Sequence, residues 1–200
     1  MLGSRQFLRT PCHTPSQLFA PFDTFPILIY NKTTIYFNYN IQKGILTMNK
    51  IGIIGAMDEE VAGLKKEMNV TSSTTIASMV FLEGTLLGKE VIVVRSGIGK
   101  VNAAVCAEIL AGIFKADAII NTGIAGSLNA KIDIGDIVIS SDVLHHDMDA
   151  TGFGYPLGQI PRMDVLSFEA DSTLVETAKE VCEKVNPDIH THIGRVVSGE

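Results

Sequence analysis

From residue 50 onward, short apolar runs alternate with helical periods, and this alternation restricts the fold more than any other feature of the chain. Residues 50–56 (KIGIIGA) form a β-branched run of strand length. Residues 58–68 place Val61, Leu64 and Met68 at helical spacing. Their acidic start and the late Lys65 and Lys66 complement a helix dipole. Residues 78–86 and 90–95 read as a hairpin around Leu87-Gly88-Lys89. A mostly apolar helix over 100–114 leads to a buried strand at 117–122, then to the small-residue turn 123–127. A strand at 136–143, a Gly/Pro-rich loop at 146–161, a helix at 171–185 capped by Asp171 or Ser172, and a strand at 190–198 complete the pattern. Apolar strands separated by helices imply an α/β sheet covered on both faces. In such sheets ligands bind outside the carboxyl ends of the strands. The segments to inspect are therefore 55–60, 96–100 and 122–127.

Composition narrows the function classes. Hydrophobic residues make up 46% of the chain and charged residues 19%, a globular balance. No apolar run reaches the length of a membrane-spanning helix. The net charge of −6 argues against binding nucleic acid by phosphate neutralisation. Cys12, Cys106 and Cys182 are widely spaced, which suits a reducing compartment and gives neither a disulfide framework nor a zinc spacing.

Residues 1–47 differ from the rest. They are rich in Phe and Tyr, carry Pro11, Pro15, Pro21 and Pro26, and show no persistent helical or strand period. Pro26 interrupts the one apolar stretch that a secretory signal could use, and no Arg-rich amphipathic helix supports a transit peptide. They read as a non-domain extension translated from a start placed too early, ahead of Met48, with the domain occupying 48–200.

Each strand end admits a ligand reading and a plain one. Ser96-Gly97-Ile98-Gly99-Lys100 lacks the earlier Gly and the Ser or Thr after Lys that a phosphate loop needs, because Val101 follows. Asn102 stands where a dinucleotide fingerprint needs its third Gly. Thr122-Gly123-Ile124-Ala125-Gly126-Ser127 either lets a ligand approach the backbone or is a tight turn. Among Asp58, Glu59 and Glu60, either all three carboxylates are solvated at a helix start or one points into the cleft as a base. His145 and His146 are adjacent and would point to opposite faces of a strand. His190 and His192 share a face without an evident third ligand, so structural roles are favoured over metal. No GxSxG or Cys-His signature supports a nucleophilic side chain.

Six collinear motifs carry a resemblance: IGIIGAMDEEV (51–61), VRSGIGKVNAA (94–104), IINTGIAGSL (119–128), GDIVIS (135–140), HHDMDATGFGYPLGQIP (145–161) and VVSG (196–199). Over 48–200 the chain resembles the 5′-methylthioadenosine/S-adenosylhomocysteine nucleosidases of the purine nucleoside phosphorylase-like superfamily. The resemblance implies one three-layer α/β/α domain around a central mixed β-sheet, assembled as a cytoplasmic homodimer with a small nucleoside as substrate. It implies hydrolysis of the N-glycosidic bond with release of adenine and the thioribose. No metal or organic cofactor is implied, and neither nucleic acid nor membrane is a partner. Glu60 aligns with the water-activating base. Met57 and Ile98 align with the ribose side. Ala125 and Gly126 align with the backbone facing the nucleoside and the attacking water. Phe153 and Pro161 align with residues reaching the neighbouring subunit's alkylthio pocket. Phosphorylases of the superfamily surround phosphate with arginines, whereas Arg95 is the one cation near these strand ends, so a water site is expected. The alternatives are an AMP- or futalosine-type nucleosidase, a non-catalytic remnant, or, more remotely, a dinucleotide-binding oxidoreductase.

Two departures from the family pattern stand out. Ile124 occupies a position where relatives usually carry Ser, which removes a polar side chain near the ribose. From Met48 to Glu200 the chain is also shorter than a family domain. By resemblance, the segment that packs on adenine, the Met-Glu pair for the ribose hydroxyls and the Asp that protonates the purine lie beyond Glu200. The 200-residue chain is therefore expected to release little or no adenine; a rate near that of a full-length relative would overturn this expectation.

Overall fold

A computed structural model describes residues 49–199, together with two short strands in the N-terminal segment. Those strands, β1 (Ile27–Tyr30) and β2 (Thr33–Tyr36), pair antiparallel with Ile27 opposite Tyr36. The sequence reading assigned no strand here. The local cause is the density of Ile and Thr on either side of Asn31-Lys32, which favours extended backbone. The rest of the proposed extension lies outside the described residues.

Five strands form the main sheet. In chain order they are β3 (Lys50–Gly55), β4 (Asn69–Ile76), β5 (Met79–Leu86), β6 (Lys89–Arg95) and β7 (Ala118–Asn121), with α1 (Asp58–Glu67) after β3 and α2 (Lys100–Glu108) after β6. The spatial order is β4-β5-β6-β3-β7. β3 runs parallel to both β6 and β7, while β4, β5 and β6 form an antiparallel meander. The sheet is therefore mixed, as expected. α2 continues into a π-helical turn over Ile109–Ile113.

Alternate residues of the central strands divide between two cores. Ile54, Ile92, Val94 and Ile119 pack with Phe81, Cys106 and Leu110 on the α2 face. Ile53, Val91 and Val93 pack with Val61 and Met68 on the α1 face. The helices thus cover opposite faces, which is the three-layer arrangement. Gly52 makes the α2 contact close: a Cβ there would stand 2.9 Å from Leu110 Cδ1.

The strand β4 was not anticipated. Its sequence NVTSSTTI is polar apart from Val70 and Ile76 and exposed for all but its last residue, so it carries no hydrophobic alternation. Backbone pairing with β5 defines it, helped by the Thr71 and Ser72 hydroxyls donating to Glu83 O and Oε1 and by Ile76 packing on the core. Gly84 of β5 permits that pairing beside an irregularity at Val70–Ser72, since a Cβ on Gly84 would overlap Asn69 O.

A second sheet contains β8 (Ile137–His145), β9 (Phe168–Glu169) and β10 (Thr191–Ser198), in the order β10-β8-β9. β8 and β10 are parallel. Ala118 of β7, Ile137 and Ile139 of β8, and Val175 of α3 (Ser172–Val185) share a core that joins the two sheets. The expected single central sheet is thus divided between β7 and β8. Asp171 caps α3, its Oδ1 accepting from Leu174 N at 3.0 Å.

Two buried carboxylates tie β10 to β8. Asp136 Oδ2 accepts from Asp133 N at 2.9 Å and lies 3.0 Å from His192 Nε2, while its Oδ1 is 3.6 Å from His190 Nδ1. The Asp133 N–H holds the Asp136 carboxyl below its ordinary range; burial works against this, and His192 and His190 reinforce it. Asp142 Oδ2 accepts from Arg195 Nε at 2.8 Å. Burial pushes the Asp142 carboxyl up, but hydrogen bonds from Arg195, Ser167 and Ser141 outweigh it, and the net direction is down. When the folded pKa is depressed, the unfolded state binds more protons through the transition, so stability rises with pH there. The contribution of both groups is complete above the unfolded carboxylate pKa of about 3.9 and is lost as pH falls through their lower folded values. Thermal unfolding from pH 6 down to pH 2 should show this loss, and Asp142→Asn should flatten it. An unchanged slope in that variant would remove Asp142 from the linkage.

Candidate functional site

The site begins where β3 ends. The chain turns sharply from Gly55 into α1, and Gly55 has no room for a side chain. A Cβ there would lie 2.7 Å from Val61 Cγ1, 3.1 Å from Glu60 Cβ and 3.4 Å from Thr122 O. Val61 is fully buried and anchors α1 against the sheet. Met57 is the N-cap of α1, so Asp58, Glu59 and Glu60 occupy its first turn.

Their fates differ, and this decides between the two readings of the acidic trio. Asp58 is 70% exposed and pairs with Arg95 Nε at 3.3 Å and Lys65 Nζ at 3.5 Å. Glu59 is exposed. Glu60 turns inward and is half-buried. Its Oε2 accepts from Met57 N at 2.9 Å and its Oε1 from Ile124 N at 3.0 Å. One carboxylate thus bridges the end of β3 to the turn after β7. That turn is itself fixed by Thr122 N donating to Ile54 O at 2.7 Å.

The third strand end is pinned to the first. Ser96 N donates to Gly55 O at 2.9 Å, and the buried Ser96 hydroxyl donates to Gly97 O at 2.9 Å. Gly97 and Gly99 have φ of +85° and +102°, in the region that favours glycine. Asn102 Nδ2 donates to Ile98 O at 2.7 Å, so the turn presents the Ile98 side chain outward. Met57, Asp58, Glu59, Arg95, Gly97 and Ile98 line an open cleft of about 300 Å³. Glu60 faces the Ile124 turn instead, and Met57 belongs to both features.

The structure therefore brings Met57, Glu60 and the turn containing Ala125 and Gly126 together, with Ile98 across the cleft from Met57. Phe153 and Pro161 lie elsewhere, on the loop between β8 and β9. Both are exposed, Phe153 at 86%. Arg95, the one nearby cation of the sequence reading, is engaged by Asp58. Two features escaped the sequence. The Ile124 backbone N–H holds Glu60, a role no side-chain pattern could reveal, and the Ile-for-Ser departure leaves that bond intact. Lys100, at the start of α2, pairs with Asp147.

Among the described residues no group of three or more His, Cys, Asp and Glu side chains is arranged to hold a metal ion. His190 and His192 converge on Asp136 at the start of β8, not on any of these strand ends.

The family model of the phosphorylase superfamily matches residues 50–200, three-quarters of the chain and all the elements that build this site. The chain belongs to the phosphorylase superfamily. Similar proteins within it include a 5′-methylthioadenosine/S-adenosylhomocysteine nucleosidase of an Exiguobacterium species, 46% identical over 151 residues, covering 76% of this chain and 64% of that relative. A solved nucleosidase of the same description from Colwellia psychrerythraea, in complex with adenine, superposes with a TM-score of 0.69 at 39% identity, covering 76% of this chain and 63% of that one. Another, from Neisseria meningitidis in complex with methylthio-immucillin-A, gives 0.69 at 34% identity, with 76% and 65% covered. This superfamily member thus spans less than two-thirds of the length of these relatives.

Gly55→Ala tests the packing that aims Glu60. The added methyl must displace Val61 or Glu60, and overpacking of this kind costs about 1–3 kcal/mol. The urea midpoint should fall accordingly; an unchanged midpoint would mean that the turn relaxes freely.

Proposed function

We propose that this chain carries the water-activating half of a nucleosidase acting on 5′-methylthioadenosine and S-adenosylhomocysteine. The observation that carries the reading is the Glu60 carboxylate, held by one backbone N–H on each oxygen, from two different strand ends. Each oxygen keeps a lone pair for a further hydrogen bond. A carboxylate so oriented is suited to bind a water and take its proton.

The chemistry follows the logic of glycoside hydrolysis. The bond between the anomeric carbon and the purine nitrogen breaks, and its electron pair leaves with adenine. The sugar carbon becomes cation-like. Water adds to that carbon while its proton passes to Glu60, giving the thioribose. Adenine needs a proton of its own as it leaves. Met57 and Ile98 would flank the ribose across the cleft. The Ala125-Gly126 turn, without bulky side chains, would let nucleoside and water approach the backbone that holds Glu60. No metal or organic cofactor is required, since the carboxylate activates water and protonation activates the base.

Water rather than phosphate as the nucleophile is supported by the charges at this end of the sheet. Arg95 is paired with Asp58, and Glu59 and Glu60 add negative charge that would repel an anion. A homodimer is supported by the exposure of Phe153 beside Leu157 on one loop, apolar surface suited to a partner subunit's alkylthio pocket. A cytoplasmic location is supported by free Cys106 and Cys182. Burial pushes the Cys106 thiol up to about 12, so it stays a packed, unreactive group.

Glu60→Gln tests the reading in the protein as its own cell makes it. The amide loses the base and turns its NH2 group toward one of the two N–H donors. Adenine release from methylthioadenosine, followed by chromatography, should fall by about 100-fold or more in kcat with the oligomer mass unchanged. A near-normal rate would remove Glu60 from the mechanism.

A further inference from the structure

Lys100 stands at the first position of α2, where the positive end of the helix dipole disfavours a cation. No acidic residue of the first helical turn offsets it. The compensation comes from the loop after β8: Asp147 Oδ2 lies 2.5 Å from Lys100 Nζ. The two side chains are 30% and 28% exposed, so this pair is drier than Asp58 with its two cations. Asp147 thus places a carboxylate against the ammonium at the start of α2, a charge-assisted contact.

The pair joins the turn after β6 to the loop after β8. Lys100 follows the Gly97–Gly99 turn directly and so moves with Ile98. Asp147 opens the loop that carries Phe153 and Pro161. A third segment closes on the same point. His146 N donates to Ser198 O at 3.0 Å, and a Cβ on Gly199 would come within 2.9 Å of Asp147 Cγ. The carboxyl ends of β6, β8 and β10 therefore meet at one ion pair. A local rule broken at a helix start and repaired from 47 residues away marks a junction selected for position.

We infer that Lys100 and Asp147 are a positioning pair, fixing the Phe153 loop against the Ile98 turn so that the loop is held in place to reach the alkylthio pocket of the neighbouring subunit. This rests on the nucleosidase reading for its substrate, and on the geometry alone for the loop. Neither residue touches the reacting atoms in this role. Loss of the pair frees the loop and weakens binding of the 5′ substituent, while Glu60 and its two N–H partners stay in place.

The test compares Lys100→Met, Lys100→Arg and Asp147→Asn in the protein as its own cell makes it. Two nucleosides are used: methylthioadenosine, and 5′-deoxyadenosine, which lacks the alkylthio group. Lys100→Met should raise KM for methylthioadenosine about tenfold with kcat within about twofold, and raise KM for 5′-deoxyadenosine less. Lys100→Arg should restore most of the loss, and Asp147→Asn should reproduce it if Lys100→Met does not fold. Amide hydrogen exchange over 148–161 should quicken in Lys100→Met and return in Lys100→Arg. Unchanged KM and exchange, or a fall in kcat alone, would overturn the inference, as would equal losses for both nucleosides without rescue by Arg. If the unmodified protein releases adenine from neither nucleoside, the nucleosidase reading fails. The exchange data then decide the pair by themselves: unchanged exchange overturns it, and faster exchange rescued by Arg sustains it.

Discussion

Parallel pairing of β3 with both β6 and β7 is the constraint on which the rest of this structure depends. It buries β3 on both faces, which explains why Ile53 and Ile54 serve different cores. It also places three carboxyl ends side by side. The backbone of Gly55 and Ile54 then binds the first residues past the neighbouring strands, through Ser96 N and Thr122 N. Once those bonds form, the turns after β6 and β7 have little freedom. The site is a consequence of sheet register more than of any single side chain.

Glu60 exploits that register. A carboxylate at the third position of a helix ordinarily reaches back to the N-cap N–H, a local and modest stabilisation. Here its second oxygen also takes a bond from a segment 64 residues away. Structure and chemistry use the same group: the bonds that cap the helix and hold the Ile124 turn also fix the direction of the carboxylate. Its neighbour Asp58 takes the surface role, pairing with Arg95 and Lys65. Three consecutive acids are thus sorted by helical geometry into two surface groups and one that points inward.

Polar pairs perform at the second sheet what apolar packing performs at the first. Three-stranded and partly exposed, the sheet of β8, β9 and β10 owes its small core to α3. Asp136 and Asp142, both held charged by their partners, fasten β10 along the length of β8. Lys100 and Asp147 then connect the far end of that pair to the main sheet.

The sequence by itself determined the α/β class, the buried parallel strands, the helix positions and the carboxylate-bearing strand end, because hydrophobic period and helix-start chemistry are local signals. The strand over 117–122, the helix over 171–185 with its Asp171 cap, and the split of 78–95 into a hairpin all follow from such signals. The polar edge strand β4 did not, since Thr and Ser facing water leave no period to read, and pairing with β5 makes it a strand. The division into two sheets was equally hidden, because no local pattern records which strands become neighbours. Tertiary structure alone decided that Glu60 meets the turn after β7, that Ile124 serves through its backbone N–H, and that Lys100 finds Asp147. In each case the deciding partner lies between 47 and 64 residues away, a distance over which pairing is set by the register of the sheet.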